Sequence, residues 1–109
     1  MEIRYDYWEG CFTKIYNSLI KSTSQYTSRN VKVKIGITNN PENRKKQHFR
    51  SDEQWDFLIV KYKTSSVRFI NKMETFLIDY QKDFIINRRR GGGGRNGAGP
   101  YYLYVLLKK

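Results

Sequence analysis

One cysteine and no long apolar run are the first shortages in this chain, and each removes a class of protein. Cys11, the sole thiol, can form neither an intramolecular disulfide nor a cysteine-based zinc site, and it reads as a small core residue. No stretch approaches the roughly 20 apolar residues that span a bilayer. Glu2, Arg4, Asp6 and Glu9 interrupt the N-terminus where a signal peptide would run unbroken. Eight glycines are present, yet they form no Walker pattern and no dinucleotide fingerprint. Apolar residues make up only 39% of the chain, but two tryptophans, nine tyrosines and six phenylalanines supply the buried area a fold needs. A length of 109 residues predicts one domain, 1–109, with a single modest core. The expected setting is inside a cell, neither secreted nor membrane-bound.

Acid is the other scarcity. Ten Asp and Glu stand against 21 Lys and Arg, a net charge of +11. So large a surplus on so small a body favours a polyanionic partner, and nucleic acid is the commonest. An anionic membrane surface would compete, but the basic residues are spread over every segment and no single amphipathic helix collects them. DNA gripped through its backbone, with weak sequence preference, is the expected partner, since nothing has the look of a base-reading helix.

The most informative stretch runs from Val31 to His48. Val31, Val33, Ile35 and Ile37 alternate with Lys32, Lys34, Gly36 and Thr38, the period of a half-buried strand. Thr38-Asn39-Asn40-Pro41-Glu42 then reads as a helix start, with an Asn cap, Pro at the first position and an acid at the positive end. That helix runs to about Phe49 and sets Arg44, Gln47 and His48 on one face. Such a strand end and basic helix could hold a phosphate; read barely, they are a solvated helix after an edge strand.

Upstream, Ile3, Tyr5 and Tyr7 alternate and could form a short strand. Residues 8–20 are ambiguous. Trp8, Cys11, Phe12, Ile15, Tyr16, Leu19 and Ile20 recur at helical spacing, while Cys11 to Tyr16 is rich enough in aromatic and β-branched residues to be a strand. Periodicity favours the helix. Ser22 to Asn30 reads as a loop. Downstream, Trp55 to Tyr62 is a strand buried on both faces, and Thr64-Ser65-Ser66 caps a helix from Val67 to about Ile86. Its core stripe is Ile70, Met73, Leu77, Tyr80 and Phe84. Glu74 lies beside that stripe, either as a flank residue pairing with Lys72 or Arg68 or as a carboxylate at the rim of a cleft; for an acid the flank is the commoner place.

Asn87 and Arg88, Arg89 and Arg90 precede a glycine-rich run that includes Arg95 and ends at Pro100. Backbone N–H groups and guanidinium charge there could wrap a phosphate, or the run could be a solvated connector. Tyr101 to Leu107 is a strand that must be buried or paired. It is expected as an extra strand at a sheet edge, or as the contact of a homodimer.

In this order the pieces resemble the GIY-YIG nuclease superfamily, above all its phage and large-DNA-virus branches. The matching residues are Phe12-Thr13-Lys14-Ile15-Tyr16-Asn17, then Lys34-Ile35-Gly36-Ile37-Thr38, Arg44 with His48, Glu74 in Met-Glu-Thr-Phe-Leu-Ile, and Asn87 before the glycines. The Lys-Ile-Gly-Ile-Thr…Arg-Lys-Lys-Gln-His block is the specific part, and about 10–99 is covered. The resemblance implies an α/β (α+β) fold, a small mixed and largely antiparallel sheet flanked by helices, to which the 101–107 strand would be an addition. It also implies that Cys11 to Tyr16 is a strand paired with Val31 to Thr38, against the periodicity.

The activity implied is hydrolysis of DNA phosphodiesters with one divalent metal, Mg²⁺ or Mn²⁺. Glu74 would bind the metal, Arg44 would neutralise charge on the phosphoryl oxygens, Asn87 would orient the site, and His48 would support Arg44 or touch DNA. Lys45, Lys46, Arg88, Arg89, Arg90 and Arg95 would grip the backbone. The family's first tyrosine falls at Thr13 or Tyr16, and its second is replaced by Lys34, which resembles a variant of the viral branch and could act as a base only once deprotonated. Substitution of the phenols would favour a catalytically weak or inactive nucleic-acid-binding module on the same fold, and the 101–107 strand leaves open a third alternative, an assembly domain that pairs through it with another chain.

Overall fold

The computed structural model describes residues 1–29, 32–49, 55–81, 85 and 98–109. Within them lie β1 (Glu2–Glu9), α1 (Phe12–Arg29), β2 (Lys32–Thr38), α2 (Pro41–Phe49), β3 (Phe57–Thr64), α3 (Val67–Tyr80) and β4 (Tyr101–Lys108). The strands form one mixed sheet in the order β1-β3-β4-β2. β1 runs parallel to β3, while β4 is antiparallel to both β3 and β2. This is the small mixed α/β architecture expected, with two of its three ladders antiparallel. No helix among the described residues is long and apolar enough to cross a membrane.

β4 is not an addition at the margin. Both of its edges are hydrogen-bonded, to β3 and to β2, so it offers no free edge to a second copy and cannot make the expected homodimer contact. Its place follows from its sequence: Leu103, Val105 and Leu107 enter one core, Tyr104 and Leu106 the other, and only a strand covered on both faces can be apolar at every position. The larger core lies between the sheet and α1 plus α3, with Phe12, Ile15 and Leu19 facing Ile70, Met73 and Leu77. The second face holds Trp55, Leu58, Val60, Tyr104 and Leu106. α2 reaches this second face at both ends, through Glu42 to Tyr5 and through His48 to Tyr104.

α1 corrects three expectations. Residues from Phe12 onward are helical, as the periodicity of 8–20 indicated, so the strand implied by the resemblance is absent, and the partner of β2 is β4 instead. Trp8 belongs to β1 rather than to the helical stripe. The helix also continues through the expected loop at 22–30 as far as Arg29. Its polar residues are absorbed locally: Thr23, Thr27 and Ser28 donate to carbonyls three or four residues back, and Gln81 Nε2 donates to Thr23 Oγ1 at 2.6 Å. Gly10, at φ 126°, makes the turn between β1 and α1 in a region L side chains rarely adopt.

Ser66 caps α3 by accepting from the Phe69 N–H at 3.1 Å, and Asn40 caps α2 by accepting from Asn43 at 3.0 Å. α3 ends at Tyr80, short of Ile86, and Tyr80 is 61% exposed, not part of the core stripe; Phe84 lies outside the described residues. β3 begins at Phe57, two residues after Trp55, and runs to Thr64. Its ladders shift register between Val60 and Tyr62, and the intervening Lys61 is 1% exposed. Its ammonium is held by Asp6 at 3.2 Å and the Tyr26 hydroxyl at 3.4 Å, over the Trp8 ring, which compensates a charge the core would otherwise reject.

Candidate functional site

The register of β2 on β4 sets Gly36 opposite Tyr104, with both facing away from α1 and α3. The glycine is required by the ring beside it. A Cβ at position 36 would lie 2.5 Å from Tyr104 Cζ and nearer still to Oη. Tyr104 therefore lies across the edge strand, and its hydroxyl comes within 3.1 Å of His48 Nε2 from the last turn of α2. The two rings meet edge to face, 5.8 Å apart at 62°. Tyr104 is 4% exposed, and burial pushes its hydroxyl up to about 12, with Arg44 opposing and Glu74 reinforcing the rise. At neutral pH it is a phenol that can donate or accept a hydrogen bond, not a phenolate.

Glu74 completes the arrangement from α3. It is 3% exposed, and its Oε1 has no hydrogen-bond partner among the described residues. Burial raises its carboxyl to about 7, and the Arg44 guanidinium opposes the rise. The flank reading is thereby corrected: Glu74 is buried, and Lys72 lies over the Phe12 ring at 4.6 Å, on the α1 side of the helix. Arg44, half-buried in the second turn of α2, is the cation whose field reaches both Glu74 and Tyr104. Arg44, Glu74 and Tyr104 are thus linked electrostatically, and His48 joins them through its contact with Tyr104.

The donor set suits a hard divalent cation. Glu74 Oε1 is a buried acceptor without a donor, and so is Asn71 Oδ1, one helical turn earlier on α3. No cluster of three or more His, Cys, Asp or Glu exists among the described residues. Any ion here would keep most of its shell as water or substrate oxygen, which Mg²⁺ and Mn²⁺ accept readily.

Several expected site residues fall elsewhere. Thr13 is exposed on α1, its hydroxyl 3.3 Å from Cys11 Sγ. Tyr16 packs on Phe12 and stands edge-on to Phe76, with ring centroids 5.0 and 5.5 Å away. Phe76 lies about 200° round α3 from Glu74, so neither residue of α1 supplies the missing phenol. Lys34 is half-buried on β2, two residues from Gly36 and on the same face. Lys45 is half-buried and Lys46 exposed on α2. Asn87, Arg88, Arg89, Arg90 and Arg95 lie outside the described residues. The residue missed in the sequence is Tyr104. Its signal was a lone glycine inside a strand, which marks the close approach of a bulky neighbour.

Comparison of the chain with protein-family models, with curated proteins and with solved structures finds no match.

Proposed function

We propose that this chain is a metal-dependent DNA endonuclease that hydrolyses phosphodiester bonds. The observation that carries the reading is Glu74: a buried carboxyl whose Oε1 has no hydrogen-bond donor among the described residues, within the field of Arg44 and close enough to act electrostatically on the Tyr104 phenol. A protein that merely grips DNA gains nothing from an acid placed against the phosphate. Glu74 would hold the ion by exchanging its proton for it, with Asn71 Oδ1 near enough on the helix to assist. When bound, Mg²⁺ or Mn²⁺ supplies Lewis acidity and a template for the phosphate. Arg44 faces the charge that develops on the non-bridging oxygens, the electrostatic contribution that dominates such chemistry. Tyr104, neutral and fixed between Gly36 and His48, holds the imidazole in place. The imidazole so oriented is the group that would take the proton from the attacking water.

A second reading, a nucleic-acid-binding module of little or no activity, is favoured by two observations: neither Thr13 nor Tyr16 stands at the site, and Tyr104, pushed up to about 12, is a neutral phenol at neutral pH. Incubation of supercoiled plasmid with Mg²⁺ or Mn²⁺ separates the two. The nuclease converts it to nicked circles, chelation stops the conversion, and Arg44→Ala loses cleavage together with some affinity. Plasmid bound but intact with every divalent ion selects the binding module.

A further inference from the structure

β1 is an outer strand of the sheet, paired on one edge only. Its alternation sends Ile3, Tyr5 and Tyr7 to the face that carries Tyr102 and Tyr104. Tyr5 is 50% exposed and Tyr7 37%, and Tyr102 is half-buried beside them. These rings are held in place. Tyr5 donates to Glu42 Oε1 at 3.3 Å, and Tyr7 stands edge-on to Tyr102 with centroids 6.5 Å apart at 87°. The Lys63 ammonium lies 5.8 Å from the Tyr102 ring centre. The acids of β1 are each neutralised, Glu2 by Arg4, Asp6 by Lys61 and Glu9 by Lys63, so the strand does not repel a polyanion that the net charge of +11 attracts.

Tyr5 pairs across the sheet with Val60, and Val60 with Tyr104, in one row. Strands about 4.8 Å apart put the backbones of Tyr5 and Tyr104 about 10 Å apart, so the outer rings share a face with the Tyr104–His48 pair. We infer that Tyr5, Tyr7 and Tyr102 form a stacking platform for the bases of an unpaired DNA strand, which makes single-stranded or locally unpaired DNA the preferred substrate. The inference rests on nucleic acid being the partner, and not on cleavage. Duplex DNA buries its base faces in its own stack and gains little from exposed rings, whereas every unpaired base has a face to offer. A second copy of the chain is a poorer occupant: partly exposed tyrosine rings fall well short of the roughly 800 Å² per partner of a stable interface.

Fluorescence anisotropy with a labelled oligothymidine and with a labelled duplex, at one fixed salt concentration, tests this. The parent is expected to bind the single strand more tightly than the duplex. Tyr5→Ala/Tyr7→Ala should weaken single-strand binding by about tenfold per ring and leave duplex binding nearly unchanged, while Tyr5→Phe/Tyr7→Phe keeps the parent's affinity. The positions are solvent-facing, and an unchanged thermal melt of each variant confirms the fold. Equal losses on both ligands, no loss on the single strand, or a dimer of the parent that the alanine pair abolishes would each overturn the platform. Absence of cleavage by every form, with the ring-dependent single-strand preference intact, would end the nuclease reading and support this one.

Discussion

Glu74 is a carboxyl that the fold keeps protonated up to about 7, whereas at its ordinary value of 4.5 the unfolded chain releases the proton. Below the lower pH both states hold the proton. Between the two the fold alone retains it, so stability falls as pH rises and levels off above about 7. A shift of that size corresponds to about 3 kcal/mol. Urea unfolding of chelator-treated protein at pH 5 and pH 8 should therefore show the parent losing ground to Glu74→Gln at the higher pH; an equal difference at both would contradict a carboxyl raised by burial. Gly36→Ala tests the other half of the site. Its methyl must displace the Tyr104 ring from His48, at an overpacking cost of about 1–3 kcal/mol in denaturant unfolding and with loss of cleavage. A variant as stable and as active as the parent would show that the ring does not need that space. At this scale the sequence singled out Arg44, His48 and Glu74, because the helical positions and the resemblance named them. Burial of Glu74 was not legible, since spacing places a residue beside a stripe without saying what packs over it. Tyr104 was missed because its partner, Gly36, lies on a strand far away in the chain.

Tyr101–Lys108 is the element on which the sheet depends. Hydrogen bonds on both edges and apolar side chains on both faces, which it shares with β3, make it less able to open locally than the outer strands β1 and β2. Its amides, with those of β3, should exchange more slowly than those of β1, which is paired on one edge only. Fast exchange across 102–107 in hydrogen-exchange mass spectrometry would show that the strand is not internal. Its strand character was plain in the unbroken apolar run, but the run does not say between which neighbours it inserts. The same limit applies to α1. Its apolar spacing indicated the helix, yet Ser22 to Asn30 read as a loop because hydroxyl side chains compete with backbone hydrogen bonds when no tertiary partner is known. Gln81, from the end of α3, is that partner for Thr23 and Ser24.

At the scale of the whole molecule, a charge of +11 sits on a body whose Cα radius of gyration is 12.6 Å. DNA affinity should fall steeply with salt, by about 0.9 in the slope of log K against log salt for each phosphate neutralised on a duplex. An affinity flat between low and physiological salt, read by anisotropy, would remove nucleic acid as the partner. Charge was readable from composition, because it is a sum over the chain, and fold class from the resemblance that the order of strands and helices suggested; the joining of α2, α3 and β4 into one site was not, because it depends on strand order. The central claim is that Glu74 serves catalysis rather than folding or binding. Its most direct test is Glu74→Gln beside the parent on one plasmid preparation, with DNA affinity and Mg²⁺- or Mn²⁺-dependent nicking measured on the same samples. The expected result is nicking abolished and affinity near the parent's, since a carboxyl held protonated up to about 7 carries little charge to repel the phosphate; nicking at the parental rate by the Gln variant would contradict it.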